Sequence, residues 1–178
     1  MIDREPKQVK LYTDGACRGN PGPGGIGVVL IYKKHRKELN QGYKRTTNNR
    51  MELRAMIAGL ETLREPCRVK IYSDSRYVID ALEKNWLSGW KRKGWVTSTK
   101  QPVKNRDLWE RLDALVRRHQ AEYVWVKGHA SNRENNRCDE LAVEAATGRN
   151  LPIDEGYETA PAPAWFGDAP VPGLLPTN

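Results

Sequence analysis

The chain has a single phenylalanine, three cysteines, three histidines and no long apolar run. Each scarcity excludes something. Cys17, Cys67 and Cys138 are odd in number, scattered and without a C-x-x-C spacing, which argues against a disulfide framework or a zinc site and fits a reducing cytosol. No segment approaches membrane-spanning length, and the polar start MIDREPKQVK does not read as a signal peptide. A cytoplasmic location is therefore expected. No solenoid period is present. The 178 residues suit one domain with a real core.

Positive charge and proline are abundant, and they occupy different regions. The formal net charge is +8, which suits an anionic partner and says nothing of fold. From Gly148 onward the texture changes. That segment holds six of the eleven prolines, and Arg149 is outnumbered by Asp154, Glu155, Glu158 and Asp168. Residues 1–148 retain 29 basic and 18 acidic side chains, a charge of +11. The expected division is a folded domain over 1–148 and a Pro-rich, disordered tail over 149–178. Trp165 and Phe166 in that tail are candidates for docking on a surface.

Two runs nearly repeat: VKLYTD at 9–14 and VKIYSD at 69–74. Both alternate like strands. GNPGPGG at 19–25 reads as loop, and GIGVVLIYKK and ELNQGYKRT as a strand pair. A helix with Leu53, Met56, Ile57 and Leu60 on one face follows, with Asn49 and Glu52 spaced as a capping box. A short helix follows VKIYSD. Another spans about 105–119, and AEYVWVKG is a fifth strand. Ser131 and Glu134 match a second capping box before a last helix. The predicted fold is α/β: a five-stranded mixed sheet, its first three strands antiparallel, its last two parallel through helical crossovers.

If the two similar strands are parallel neighbours, Asp14 and Asp74 emerge together at one sheet edge, about 4.8 Å strand to strand. Each has an ordinary alternative, as a turn residue before Gly15 or as a helix N-cap. On the last helix Asp139 flanks the apolar stripe of Cys138, Leu141 and Ala142, whereas Glu140 points away. Glu52 lies beside its own helix's stripe. Four carboxylates without a Cys/His set favour a hard cation, Mg²⁺ or Mn²⁺. Such a cluster can hold two ions roughly 3.5–4 Å apart, an arrangement suited to phosphodiester hydrolysis. His129 in KGHAS can carry protons near neutral pH.

Residues 84–106 carry seven Lys/Arg and no acid, with Trp86, Trp90 and Trp95 interleaved. The tryptophans read as a small satellite core. Lys91, Arg92, Lys93, Lys100 and Lys104 read as phosphate contacts.

YTDGACRGNPGPGG, TTNNRMEL, YSDSRYV, WKRKGW, VKNRDLW and VKGHASNRENNRCDELA occur in this order across residues 7–148. Together they resemble the bacterial type 1 ribonucleases H. The resemblance implies the ribonuclease H-like fold and, as activity, endonucleolytic cleavage of the RNA strand of RNA–DNA hybrids, leaving 5′-phosphate and 3′-hydroxyl ends. It implies Asp14, Glu52, Asp74 and Asp139 as ligands of two Mg²⁺ ions. In this reading Asp14 bridges them, Glu52 and Asp74 serve the ion near the leaving oxygen, and Asp139 serves the ion that activates water. His129 assists proton transfer or product release. The resemblance further implies minor-groove contacts from Cys17, Asn20, Asn48 and Asn49. It implies a DNA-phosphate pocket from Thr47, Asn105 and Asn20, and a basic protrusion, about 84–106, gripping DNA through Lys91, Arg92 and Lys93. A monomer is expected. Arg76 departs from the amide side chain common in relatives; it cannot accept a hydrogen bond, so a phosphate contact can replace one to a hydroxyl. Two other readings compete: a hybrid-binding module without catalysis, and a resolvase or integrase core of the same fold. The intact carboxylate set argues against the first, the basic protrusion against the second.

Overall fold

The computed structural model describes residues 4–157. Its elements in chain order are β1 (Lys7–Cys17), β2 (Gly22–Tyr32), β3 (His35–Thr46), α1 (Asn48–Glu61), β4 (Cys67–Ser73), α2 (Arg76–Glu83), α3 (Trp86–Arg92), α4 (Arg106–Arg117), β5 (Gln120–Trp125) and α5 (Arg133–Ala146). The sheet order is β3-β2-β1-β4-β5. β1–β2 and β2–β3 are antiparallel; β1–β4 and β4–β5 are parallel. The mixed sheet expected from sequence is thus observed. The two similar runs are side by side: Val9 pairs with Val69, Lys10 with Lys70, Leu11 with Ile71 and Tyr12 with Tyr72.

One sheet face carries the main core. Leu11, Val28 and Ile71 meet Leu53, Met56 and Leu60 of α1 and Trp109 and Leu112 of α4, all fully buried. The opposite face packs Tyr12 and Val29 against Cys138 and Leu141 of α5. A Cβ on Gly27 would meet the Cys138 carbonyl oxygen at 1.9 Å, so glycine lets the helix backbone lie directly on β2. The loop reading of 19–25 holds for 19–21 and is corrected for 22–25. β2 already begins at Gly22, and Gly24 and Gly25 pair with Cys17 and Ala16.

Both capping boxes also shift. Thr47, not Asn49, caps α1, its Oγ1 accepting from the Arg50 N–H at 3.3 Å. Asn132, not Ser131, caps α5 through the Asn135 N–H at 3.0 Å. Ser75 caps α2. These shifts matter for function, because neither Glu52 nor Asp74 is consumed as a cap.

The tryptophans of the basic segment do not make a separate core. Trp90 contacts Trp86, Trp95 and Trp109 at ring distances of 6.4, 6.2 and 5.4 Å. Leu87 and Trp95 belong to the main core. Aromatic packing therefore anchors the segment to the domain.

The expected domain boundary also moves. Asp154 is completely buried, its carboxylate accepting from Arg50 Nε at 2.7 Å, Arg54 Nε at 2.7 Å and Thr46 Oγ1 at 2.6 Å. The Lys44 N–H donates to the Pro152 carbonyl at 2.8 Å. The first part of the expected tail, through Tyr157, is a strap on α1 and β3. Pro152 suppresses helix and strand there without preventing packing. Residues 158–178, with Trp165 and Phe166, lie outside the described residues. Among the described residues no helix is long and apolar enough to cross a membrane.

Candidate active site

The parallel β1–β4 pairing carries Asp14 and Asp74 to the same sheet edge. Helix α1 brings the third carboxylate. Its first turn passes so close to β1 that a Cβ on Gly15 would lie 2.5 Å from the Glu52 nitrogen. Ligand oxygens of Asp14, Glu52 and Asp74 lie within 4.8 Å of one another. Asp14 and Glu52 are each only 5 % exposed, and Asp74 is half-buried.

Such crowding is electrostatically expensive. Burial, then Asp74 and Asp139, pushes the Asp14 carboxyl up to about 8. Burial, then Asp14 and Asp74, pushes Glu52 well above the ordinary carboxylate range. Burial also raises Asp74. The Gly15 N–H donates to Asp14 Oδ1 at 2.9 Å, but Glu52 Oε2 is buried without a hydrogen-bond partner among the described residues. An orphaned buried carboxylate oxygen beside two other carboxylates is a poor structural device. As a ligand set for a hard divalent cation it fits, because the cation removes the repulsion and satisfies the oxygen.

Asp139, from α5, lines the same cleft of about 550 Å³ outside the tight triad. The periodicity that separated it from Glu140 holds: Glu140 is exposed and bonded to Arg137 at 2.9 Å. His129 stands in the loop before α5, exposed, with Nδ1 3.9 Å from Asp139 Oδ2. Its φ of 54° places it in the left-handed region.

Among the expected substrate contacts, Cys17, Asn48, Asn49 and Arg76 line this cleft with the carboxylates. The Arg76 guanidinium stacks 3.8 Å from the Trp125 ring centroid. Asn20 borders the cleft indirectly, its Oδ1 accepting from the Asn48 N–H at 3.0 Å. Asn105 precedes α4 in a left-handed conformation. Its Oδ1 accepts from Arg50 Nη1 at 3.4 Å, and Arg50 follows Thr47 by one helical turn. Lys91 is tied to Asp113 by an ion pair, whereas Arg92 and Lys93 are exposed. Two participants have no sequence signal of their own. Tyr77 lines the cleft behind Arg76, and Gly15 lets α1 approach.

Comparison with known proteins agrees with this geometry. The RNase H family profile matches residues 6–147. A ribonuclease H of Aeromonas hydrophila is 60% identical over 152 residues, covering 85% of this chain and 98% of the relative. One from Shewanella amazonensis is 58% identical over 154 residues, covering 86% and 98%. Among solved structures, LC9-RNase H1, described as a type 1 RNase H with the type 2 active-site motif, superposes with a TM-score of 0.73 at 33% identity, covering 88% of this chain and 81% of that one. LC11-RNase H1, solved in complex with RNA/DNA hybrid, gives 0.57 at 25% identity, covering 78% and 96%. The chain belongs to the ribonuclease H family of endoribonucleases, in its bacterial type 1 branch.

Proposed function

We propose that this protein hydrolyses the RNA strand of RNA–DNA hybrids endonucleolytically, leaving 5′-phosphate and 3′-hydroxyl ends, with Asp14, Glu52, Asp74 and Asp139 holding two Mg²⁺ ions. The observation that carries this reading is the buried triad of Asp14, Glu52 and Asp74 with its unpartnered Glu52 oxygen. Mn²⁺ suits the same oxygen donors. Bound ions supply charge neutralisation at the attacking and leaving oxygens of the scissile phosphate.

The side chains divide the remaining work. Asp14 lies within the field of both Asp74 and Asp139, which raise its carboxyl, the position expected of a ligand shared between two ions. Glu52 and Asp74 complete one side of the site, Asp139 the other. His129, exposed and next to Asp139, exchanges a proton between solvent and the cleft. Cys17, Asn20, Asn48 and Asn49 read 2′-hydroxyls in the minor groove, the feature that separates RNA from DNA. Thr47, Asn20 and Asn105 receive a DNA-strand phosphate. Arg76 faces the backbone from its seat on Trp125. Arg92 and Lys93, with a smaller share from Lys91, hold the DNA strand electrostatically. The protein acts as a cytoplasmic monomer.

End-group analysis tests the chemistry. Products of a labelled hybrid cut in Mg²⁺ should be extendable by a polymerase from their 3′ ends and carry 5′-phosphate. A 2′,3′-cyclic phosphate would show attack by the RNA's own hydroxyl and contradict the proposed hydrolysis.

A further inference from the structure

Tyr77 performs a task that neither the carboxylates nor the basic residues explain. It stands in the first turn of α2 and lines the cleft. Its hydroxyl accepts two N–H groups, Asn105 Nδ2 at 3.1 Å and Trp109 Nε1 at 3.1 Å. A phenol has two acceptor positions and one donor. Both acceptor positions are filled, and the O–H proton has no acceptor among the described residues.

The two donors differ in kind. Trp109 is fully buried, and a buried indole N–H requires a partner, so the tyrosine oxygen is pinned from the core side. Asn105 is partly exposed and makes no side-chain cap bond to α4. Its amide is held at both ends instead. Nδ2 goes to Tyr77, and Oδ1 receives Arg50, itself fixed by Asp107 Oδ1 at 2.9 Å and by Asp154. An amide gripped this way is preorganised for something outside the protein.

We infer that Tyr77 is a positioning residue: its hydroxyl orients the Asn105 amide toward an oxygen of a DNA-strand backbone phosphate. The inference rests on the proposed function and extends it. The contact is neutral, so it changes affinity without changing the number of released counterions. That separates it from the cationic contacts of Arg92 and Lys93.

The test is a scan of hybrids carrying one uncharged methylphosphonate linkage at a time in the DNA strand. It is read with the full-length wild type, Tyr77→Phe, Asn105→Ala and the double variant. Wild type should lose affinity at one linkage, and all three variants should lose that sensitivity. On unmodified hybrid, Tyr77→Phe should raise KM about fivefold with kcat within about twofold, the scale of one hydrogen bond. Its salt slope should match wild type. The double variant should be little worse than the worse single one. Additive effects, or a Tyr77→Phe protein with reduced Tm but wild-type KM and scan, would overturn the inference. A wild type that ignores hybrids overturns the functional reading as well; hybrid cleavage without a sensitive linkage overturns this inference only.

Discussion

Gly15 and Glu52 are in backbone contact across the β1–α1 junction: a methyl group on Gly15 would sit 2.5 Å from the Glu52 nitrogen. This contact places the Glu52 carboxylate against Asp14. Replacing Gly15 by alanine must push α1 off the sheet or strain β1. Gly15→Ala should cost about 1–3 kcal/mol of stability, the range of an overpacked core. It should also reduce kcat more than KM, because the triad and not the outer cleft is displaced. Chemical denaturation and steady-state kinetics together check this.

The carboxylate cluster should destabilise the metal-free fold. Asp14 titrates near 8 when folded and near the ordinary 3.8 when unfolded. Ionisation therefore favours the unfolded chain, and stability should fall as pH rises from about 4 to about 8. Asp14→Asn should raise the Tm of metal-free protein at pH 8 by several degrees and flatten this dependence. The same variant should bind hybrid and fail to cut it. Thermal melts against pH, with and without Mg²⁺, supply the measurement; an unchanged pH profile would show that the cluster is not strained.

Asp154 works in the opposite sense. Burial raises its pKa, but hydrogen bonds from Arg50 and Thr46 outweigh burial and hold it below the usual carboxylate range. Its stabilisation is present above about pH 4 and is lost as pH falls through the lowered folded value. Asp154→Ala leaves Arg50, 2 % exposed, short of a partner and should cost about 3 kcal/mol. A chain ending before Leu151 should lose a similar amount. Equilibrium denaturation of both variants checks the strap.

The basic segment is not uniform. Lys91 is paired with Asp113, whereas Arg92 and Lys93 face solvent. In hybrid-binding titrations over a range of salt, Arg92→Ala and Lys93→Ala should each lower the slope of log affinity against log salt by about 1. Lys91→Ala should lower it less. Equal effects from all three would mean that the Asp113 pair opens on binding.

The mixed sheet and the placement of Asp14, Asp74 and Asp139 about one cleft were legible because two signals coincide. VKLYTD and VKIYSD announce paired strands that end in aspartate, and helical periodicity separates Asp139 from Glu140. The helix starts were less legible. Thr47, Asn48 and Asn49 all have capping side chains, as do Ser131 and Asn132, and only backbone geometry decides among neighbours. The strap was hidden because proline content reports the lack of regular structure, not the lack of packing. Its anchor, Asp154, finds Arg50 and Arg54 a hundred residues or more away. Tyr77 was invisible for a similar reason: its role lies in Asn105 and Trp109, which reach it only in the folded chain.

The most direct test presents one labelled RNA strand in Mg²⁺ as an RNA–DNA hybrid, as double-stranded RNA and as single-stranded RNA, beside a labelled DNA duplex. Hybrid-specific hydrolysis at the carboxylate site predicts rapid cleavage of RNA in the hybrid alone, abolished by chelation and by Asp14→Asn. Equal cutting of double-stranded RNA, or hybrid cleavage that survives Asp14→Asn, would contradict it.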